Sequence, residues 1–162
     1  MTSSPATELP ARFRPGASLG VSPWLEVTQT MVDAFGAATL DPDPMHIDPE
    51  WARANSVFGG TVAFGFLTMS LLTHLLQTVL GSGAAEPGQP AGQYLNYGFD
   101  RLRLISPVRV GRRIRGRFEV LARRQDERGR IFTTFGCTVE IEGEERPALS
   151  AEWLTAWVPV GP

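Results

Sequence analysis

The chain carries the run Asp41-Pro42-Asp43-Pro44-Met45-His46-Ile47-Asp48 between two helical segments. Asp41 and His46 stand five positions apart across a turn stiffened by two prolines, so a carboxylate and an imidazole can converge on one small volume. Such a pair suits general acid–base work, because together the two groups can orient and deprotonate a water. The same spacing also suits a plain capped turn with the imidazole packed beside it, and the residues alone leave both readings open. Downstream, Phe58-Gly59-Gly60-Thr61-Val62-Ala63-Phe64-Gly65-Phe66-Leu67 opens a long helix with small residues. There a substrate could approach the backbone, and the free amides of a helix start are natural partners for a developing oxyanion. Ser70 lies five residues beyond Gly65. Its hydroxyl either bonds a substrate or Asp41, or turns back to a helix carbonyl.

These candidates depend on the elements that hold them. Trp24 to Val27 reads as a short extended piece, and Thr28 caps a helix over Gln29 to Leu40 with Val32 and Phe35 inward. The prolines at 42 and 44 stop it. Asp48-Pro49-Glu50 is a start signal for a short turn over Glu50 to Ala54. Gly59-Gly60 breaks the chain ahead of a mostly buried helix from Ala63 to Leu80, ended by Gly81, and Ser82 to Gly92 is a Gly/Pro/Ala loop. Four strands follow, at Tyr94–Ile105, Arg113–Arg123, Ile131–Ile141 and Ala148–Val158, separated by turn residues. Consecutive strands with short turns predict an antiparallel meander, so the chain reads as α+β with a sheet wrapping one long helix.

Composition limits the rest. The 162 residues are enough for one domain; 43% are hydrophobic, which excludes a wholly disordered chain. Residues 1–19 read as a flexible tail or arm and 20–162 as the single domain. A net charge of -2 gives no reason to expect nucleic acid. All 15 basic residues are arginine, and eleven fall between Arg101 and Arg130, either as a solvated strand face or as a grip on an anionic substrate. Thr61 to Leu80 is long enough to span a bilayer, but Ser70, Thr73, His74 and Gln77 make a polar stripe on it, so no membrane segment is expected. One cysteine, Cys137, excludes an internal disulfide and points to a reducing, cytoplasmic setting; with two histidines it gives no metal site.

From Asp41 to Leu72 the pattern Asp-x-x-Pro-x-His-x-Asp-Pro-Glu, then Phe-Gly-Gly-Thr-Val-Ala-x-Gly-Phe-Leu-Thr-x-Ser-Leu-Leu, resembles the hydratase motif of the MaoC-like dehydratases. That family contains the (R)-specific enoyl-CoA hydratases. Asn96-Tyr97-Gly98-Phe99-Asp100-Arg101 and Pro107-Val108-Arg109-Val110-Gly111 are similar to its nodulation protein N-like branch. The resemblance covers roughly Gly20 to Val158. It implies a hot-dog fold, in which a curved antiparallel sheet wraps a long central helix, assembled as a homodimer.

By the same resemblance, Asp41 and His46 activate water, the Gly65 amide polarises a thioester carbonyl, and Ser70 is a supporting hydroxyl. The implied reaction is syn addition of water to a trans-2-enoyl thioester, giving the (R)-3-hydroxyacyl thioester, or its reverse. Coenzyme A or an acyl carrier protein would carry the acyl group, with arginines among 101–117 near the phosphates and no cofactor or metal required. Where the family commonly reads Ala-His-Gly, this chain has Ala63-Phe64-Gly65. A hot-dog thioesterase and a non-catalytic acyl-thioester binding module are the alternatives.

Overall fold

A computed structural model describes residues 11–81 and 91–160. The first ten residues of the expected tail and residues 82–90 of the expected loop lie outside the described residues. A 3-10 turn at Ala11–Phe13 buries Phe13, and β1 follows at Ser18–Val21. After β2 (Leu25–Glu26), Thr28 caps α1 (Gln29–Thr39) by accepting from the Met31 amide. Its inner face buries Val32 and Gly36. The helix ends at Leu40, which takes a left-handed conformation with φ 58°.

Two short helices hold the motif loop. Asp43 accepts from the Met45 amide at 2.9 Å and Pro44 opens α2 (Pro44–Ile47), a helical turn within the expected loop. Asp48 accepts from the amides of Glu50 and Trp51 and starts α3 (Pro49–Asn55). A proline at the first helical position forfeits no hydrogen bond, so both Asp-Pro pairs become helix starts rather than plain breaks. The central helix α4 runs Gly65–Leu80 and buries Leu67, Thr68, Leu72, Leu75 and Leu76.

The sheet packs over that helix. Its long strands are β3 (Gly92–Leu104), β4 (Arg113–Gln125), β5 (Ile131–Ile141) and β6 (Leu149–Pro159), in spatial order β1-β4-β5-β6-β3 with β2 also on β4. All pairings are antiparallel. Ile114, Phe118 and Val120 of β4 and Cys137 and Val139 of β5 point into the core, while the alternate residues face outward. The expected four-strand meander is corrected at β3, which pairs with β6 and not with β4. Local hydrogen bonds carry the chain across: the Ile105 amide donates to Ala148 O, the Val110 amide to Thr61 O, and Val108 O accepts from the Ala63 amide. The segment after β3 is therefore pinned beside the start of α4 instead of turning back as a hairpin. No described helix is long and apolar enough to cross a membrane.

Candidate active site

A cleft of about 280 Å3 opens where α2, the start of α4 and the segment after β3 meet. His46 and Gly65 both line it, with Met45, Phe58 and Thr68 beside them and residues 104–108 forming the opposite wall. The wall is predominantly apolar, and His46 is the one titratable side chain on it. A larger hollow of about 460 Å3 lies on the outer sheet face and contains none of the four candidate residues.

Three sets of contacts fix His46. Its Nδ1 lies 2.6 Å from the Val62 carbonyl oxygen. A carbonyl only accepts, so Nδ1 carries a proton, and the lone pair of the neutral form of the ring is the one at Nε2. The ring lies over Phe64 with centroids 3.9 Å apart, and Phe64 in turn packs on Phe35 at 5.3 Å. Phe64 is buried, so the position that departs from the family pattern supplies the surface on which the imidazole rests. The third set runs through Gln29. Its Nε2 donates to the His46 carbonyl at 2.8 Å and to Asp33 at 2.7 Å, and its Oε1 accepts from Thr61 at 2.7 Å. With the Val62 amide donating to Met45 O at 3.3 Å, α1, α2 and the segment before α4 are tied into one unit.

Gly65 begins α4, and no side chain caps that helix. A Cβ at Gly65 would collide with Leu104 Cδ1, so this glycine allows Leu104 to close directly over the helix entrance. The first-turn amides of a helix have no intrahelical acceptor and carry the positive end of its dipole. An oxygen acquiring negative charge in the cleft would be stabilised there.

Asp41 and Ser70 are not on the cleft wall. Asp41 is exposed, and its Oδ1 accepts from the Asp43 amide at 3.2 Å. Its backbone nevertheless belongs to the same knot: a Cβ added at Gly36 would lie 3.0 Å from Asp41 O, 3.1 Å from Ile47 Cγ2 and 3.2 Å from Phe64 Cζ. Ser70 is exposed and donates to the Phe66 carbonyl at 2.8 Å. The structure thus brings His46 and Gly65 together on one wall and leaves the other two outside it. The Val62 carbonyl, Gln29 and Leu104 were invisible in the sequence, since none belongs to a residue type or spacing that marks chemistry.

Other candidates drop out. Burial pushes the Cys137 thiol up to about 12, so it is protonated and inert at neutral pH. The described residues hold no cluster of three or more histidine, cysteine or acidic side chains able to bind a metal. Much of the positive stretch is neutralised in place: Arg115 and Arg117 pair with Glu140, Arg113 with Glu142, Arg112 with Glu144, Arg101 with Glu152 and Arg130 with Asp126.

A long buried helix inside a curved antiparallel sheet, with a cleft at the helix start, defines a hot-dog protein. The profile of the MaoC like domain matches residues 11–140, and the chain belongs to that family. It is 43% identical over 148 residues to nodulation protein N of Rhizobium leguminosarum bv. viciae, a match covering 91% of this chain and 88% of that protein. It is 36% identical over 146 residues to 3-hydroxyacyl-thioester dehydratase Z of Mycobacterium tuberculosis H37Rv, covering 88% and 90%. Among solved structures it resembles the (R)-hydratase of A. caviae involved in PHA biosynthesis, with a TM-score of 0.66 and 25% identity over 93% and 98% of the two chains.

Proposed function

We propose that this chain adds water reversibly to trans-2-enoyl thioesters to form (R)-3-hydroxyacyl thioesters. The observation that supports this reading is the His46 Nδ1 contact to Val62 O, which places the lone pair at Nε2 of a histidine that lines the apolar cleft together with Gly65. In the hydration direction, Nε2 takes a proton from water as the water oxygen bonds to C3. The pair of electrons leaving the C2–C3 double bond moves onto the thioester oxygen, held by the Gly65 amide. The proton then passes from Nε2 to C2 on the same face and the carbonyl re-forms, so the net change is one water added in syn fashion. The family resemblance gives Asp41 the acid's place in the dyad; because it lies outside the cleft wall, that role requires its second carboxylate oxygen to turn toward His46 when substrate is bound. An oxyanion donor of the Gly65 kind is worth about 3 kcal/mol of barrier. Ser70, bonded to Phe66 O, supports the helix start and takes no proton.

The acyl group is carried by coenzyme A or an acyl carrier protein, and the chain works as a homodimer. Support for the dimer comes from β3, which pairs on one side with β6 and exposes Leu95 and Tyr97. Among the described residues no other strand lies beyond β3, and an edge with exposed apolar side chains is a template for a second strand.

Crotonyl-CoA tests the reading. Loss of enoyl absorbance without free thiol, with the product accepted by an (R)-specific 3-hydroxyacyl dehydrogenase, is the expected result. Thiol release would indicate a thioesterase, and no change in either signal a binding module.

A further inference from the structure

We propose that Ser106 is a second oxyanion donor, its hydroxyl holding the thioester oxygen together with the Gly65 amide, an assignment that rests on the hydration reading above. Among the described residues, three side chains on the cleft wall carry an N–H or O–H group: His46, Thr68 and Ser106. His46 commits Nδ1 to the Val62 carbonyl. Thr68 is buried and turns its hydroxyl back to the Phe64 carbonyl at 3.4 Å. The half-buried Ser106 makes no side-chain hydrogen bond to the described residues, so its hydroxyl is the one left for a ligand.

The chain path sets Ser106 beside Gly65. Val62 forms an antiparallel bridge with Arg109, and the Ala63 amide bonds Val108 O at 2.8 Å. Carried forward, that register puts Ser106 opposite Gly65. Leu104, two residues before Ser106, is the side chain that a Cβ at Gly65 would meet, so the two segments stay in contact over this stretch. Ser106 is also held in place: its amide and that of Ile105 donate to Ala148 O at 3.3 and 2.8 Å, and Pro107 restricts its backbone to extended conformations. A carbonyl oxygen has two lone pairs, and one amide engages only one of them. As the electron pair from the C2–C3 double bond moves onto that oxygen, a second fixed donor strengthens with the growing charge, the more so between apolar walls. Ser106 donates a hydrogen bond and keeps its proton, so proton transfer through Nε2 is unaltered.

Hydration of crotonyl-CoA by the full chain gives the first readout. Ser106→Ala should lower kcat about ten- to a hundred-fold with a much smaller change in KM, because the hydroxyl acts most strongly on the charged species. Ser106→Thr keeps a hydroxyl and should retain more activity than Ser106→Ala. A merely structural serine could also cost rate, so the second readout is the infrared carbonyl band of crotonyl-CoA, labelled with heavy carbon at the carbonyl. The thioester is bound to His46→Ala, which should leave the enoyl group largely unreacted. The bound band should lie below that of free crotonyl-CoA, and adding Ser106→Ala should move it back toward the free value. Wild-type kcat in Ser106→Ala, a bound band that the same substitution leaves in place, or a thioester that does not bind would overturn the proposal. A wild type that binds crotonyl-CoA without hydrating it refutes the hydratase reading, while the band still decides Ser106.

Discussion

The Nδ1 of His46 donates to the Val62 carbonyl at 2.6 Å, so a backbone oxygen, not a carboxylate, selects the tautomer of the ring. Orientation of the base is thereby built into the chain path: Val62 also pairs with Arg109, and the next amide, that of Ala63, bonds Val108 O. Anything that shifts α2 against this segment moves Nε2 relative to Gly65.

Gln29 is the brace that resists that shift, because its amide reaches the His46 carbonyl, Asp33 and Thr61 at once. Gln29→Leu is expected to lower kcat on crotonyl-CoA about ten-fold with a smaller change in KM, since misplacement of a reacting group costs rate more than binding. Steady-state kinetics check this. Unchanged kcat would mean that α2 holds its place without the brace.

Phe64 carries the imidazole on its ring face and is 4% exposed. Phe64→Ala should cost about 3–5 kcal/mol of stability by opening a core void, which urea unfolding measures. Phe64→Leu fills most of that volume and isolates the contact with His46. A loss of kcat that exceeds the modest stability change in Phe64→Leu is the expected signature, and full activity would limit Phe64 to core filling.

Leu40 occupies the left-handed region at φ 58° with 89% of its surface exposed. An L-residue there costs roughly 1 kcal/mol, and this exposed side chain returns little packing to offset it. Leu40→Gly should therefore stabilise the protein by about 0.5–1 kcal/mol after the extra freedom of glycine in the unfolded chain is counted. Calorimetry would show a higher Tm. A lower one would mean that the leucine makes a contact beyond this chain.

Glu140 supplies an acid-sensitive contribution. Burial pushes its carboxyl up, but hydrogen bonds from Arg115 and Arg117 outweigh that and hold it below the ordinary 4.5. The unfolded chain thus takes up the proton first as pH falls. The contribution is fully present above pH 4.5 and disappears as pH drops through the lowered folded value. Glu140→Gln should be on the order of 0.5–1 kcal/mol less stable than the wild type at pH 7, a modest figure because the pair is partly solvated. The gap should close below pH 4.5 in urea titrations, and a constant gap would locate the loss elsewhere.

What the sequence revealed follows from how local each signal is. Thr28 and Asp48 cap helices through amides two or three residues away, and the strand from Ile131 to Ile141 was bounded correctly by its own alternation and flanking turns. The motif from Asp41 to Leu72 pointed to the family, and it includes both residues that the cleft unites, His46 and Gly65. Partnerships between distant segments were hidden. Nothing in Gly92–Leu104 says that it pairs with β6, nothing in Val62 says that its carbonyl meets an imidazole, and the arginine stretch does not reveal which guanidinium faces a glutamate across the sheet. The type of residue 64 does not disclose that its ring packs against that of His46.

The most direct test is the turnover of crotonyl-CoA by His46→Ala, read beside its circular dichroism and Tm. The account predicts an unaltered fold with kcat reduced at least about 100-fold, the contribution expected of a positioned base. A folded variant that hydrates crotonyl-CoA at close to the wild-type rate would contradict it.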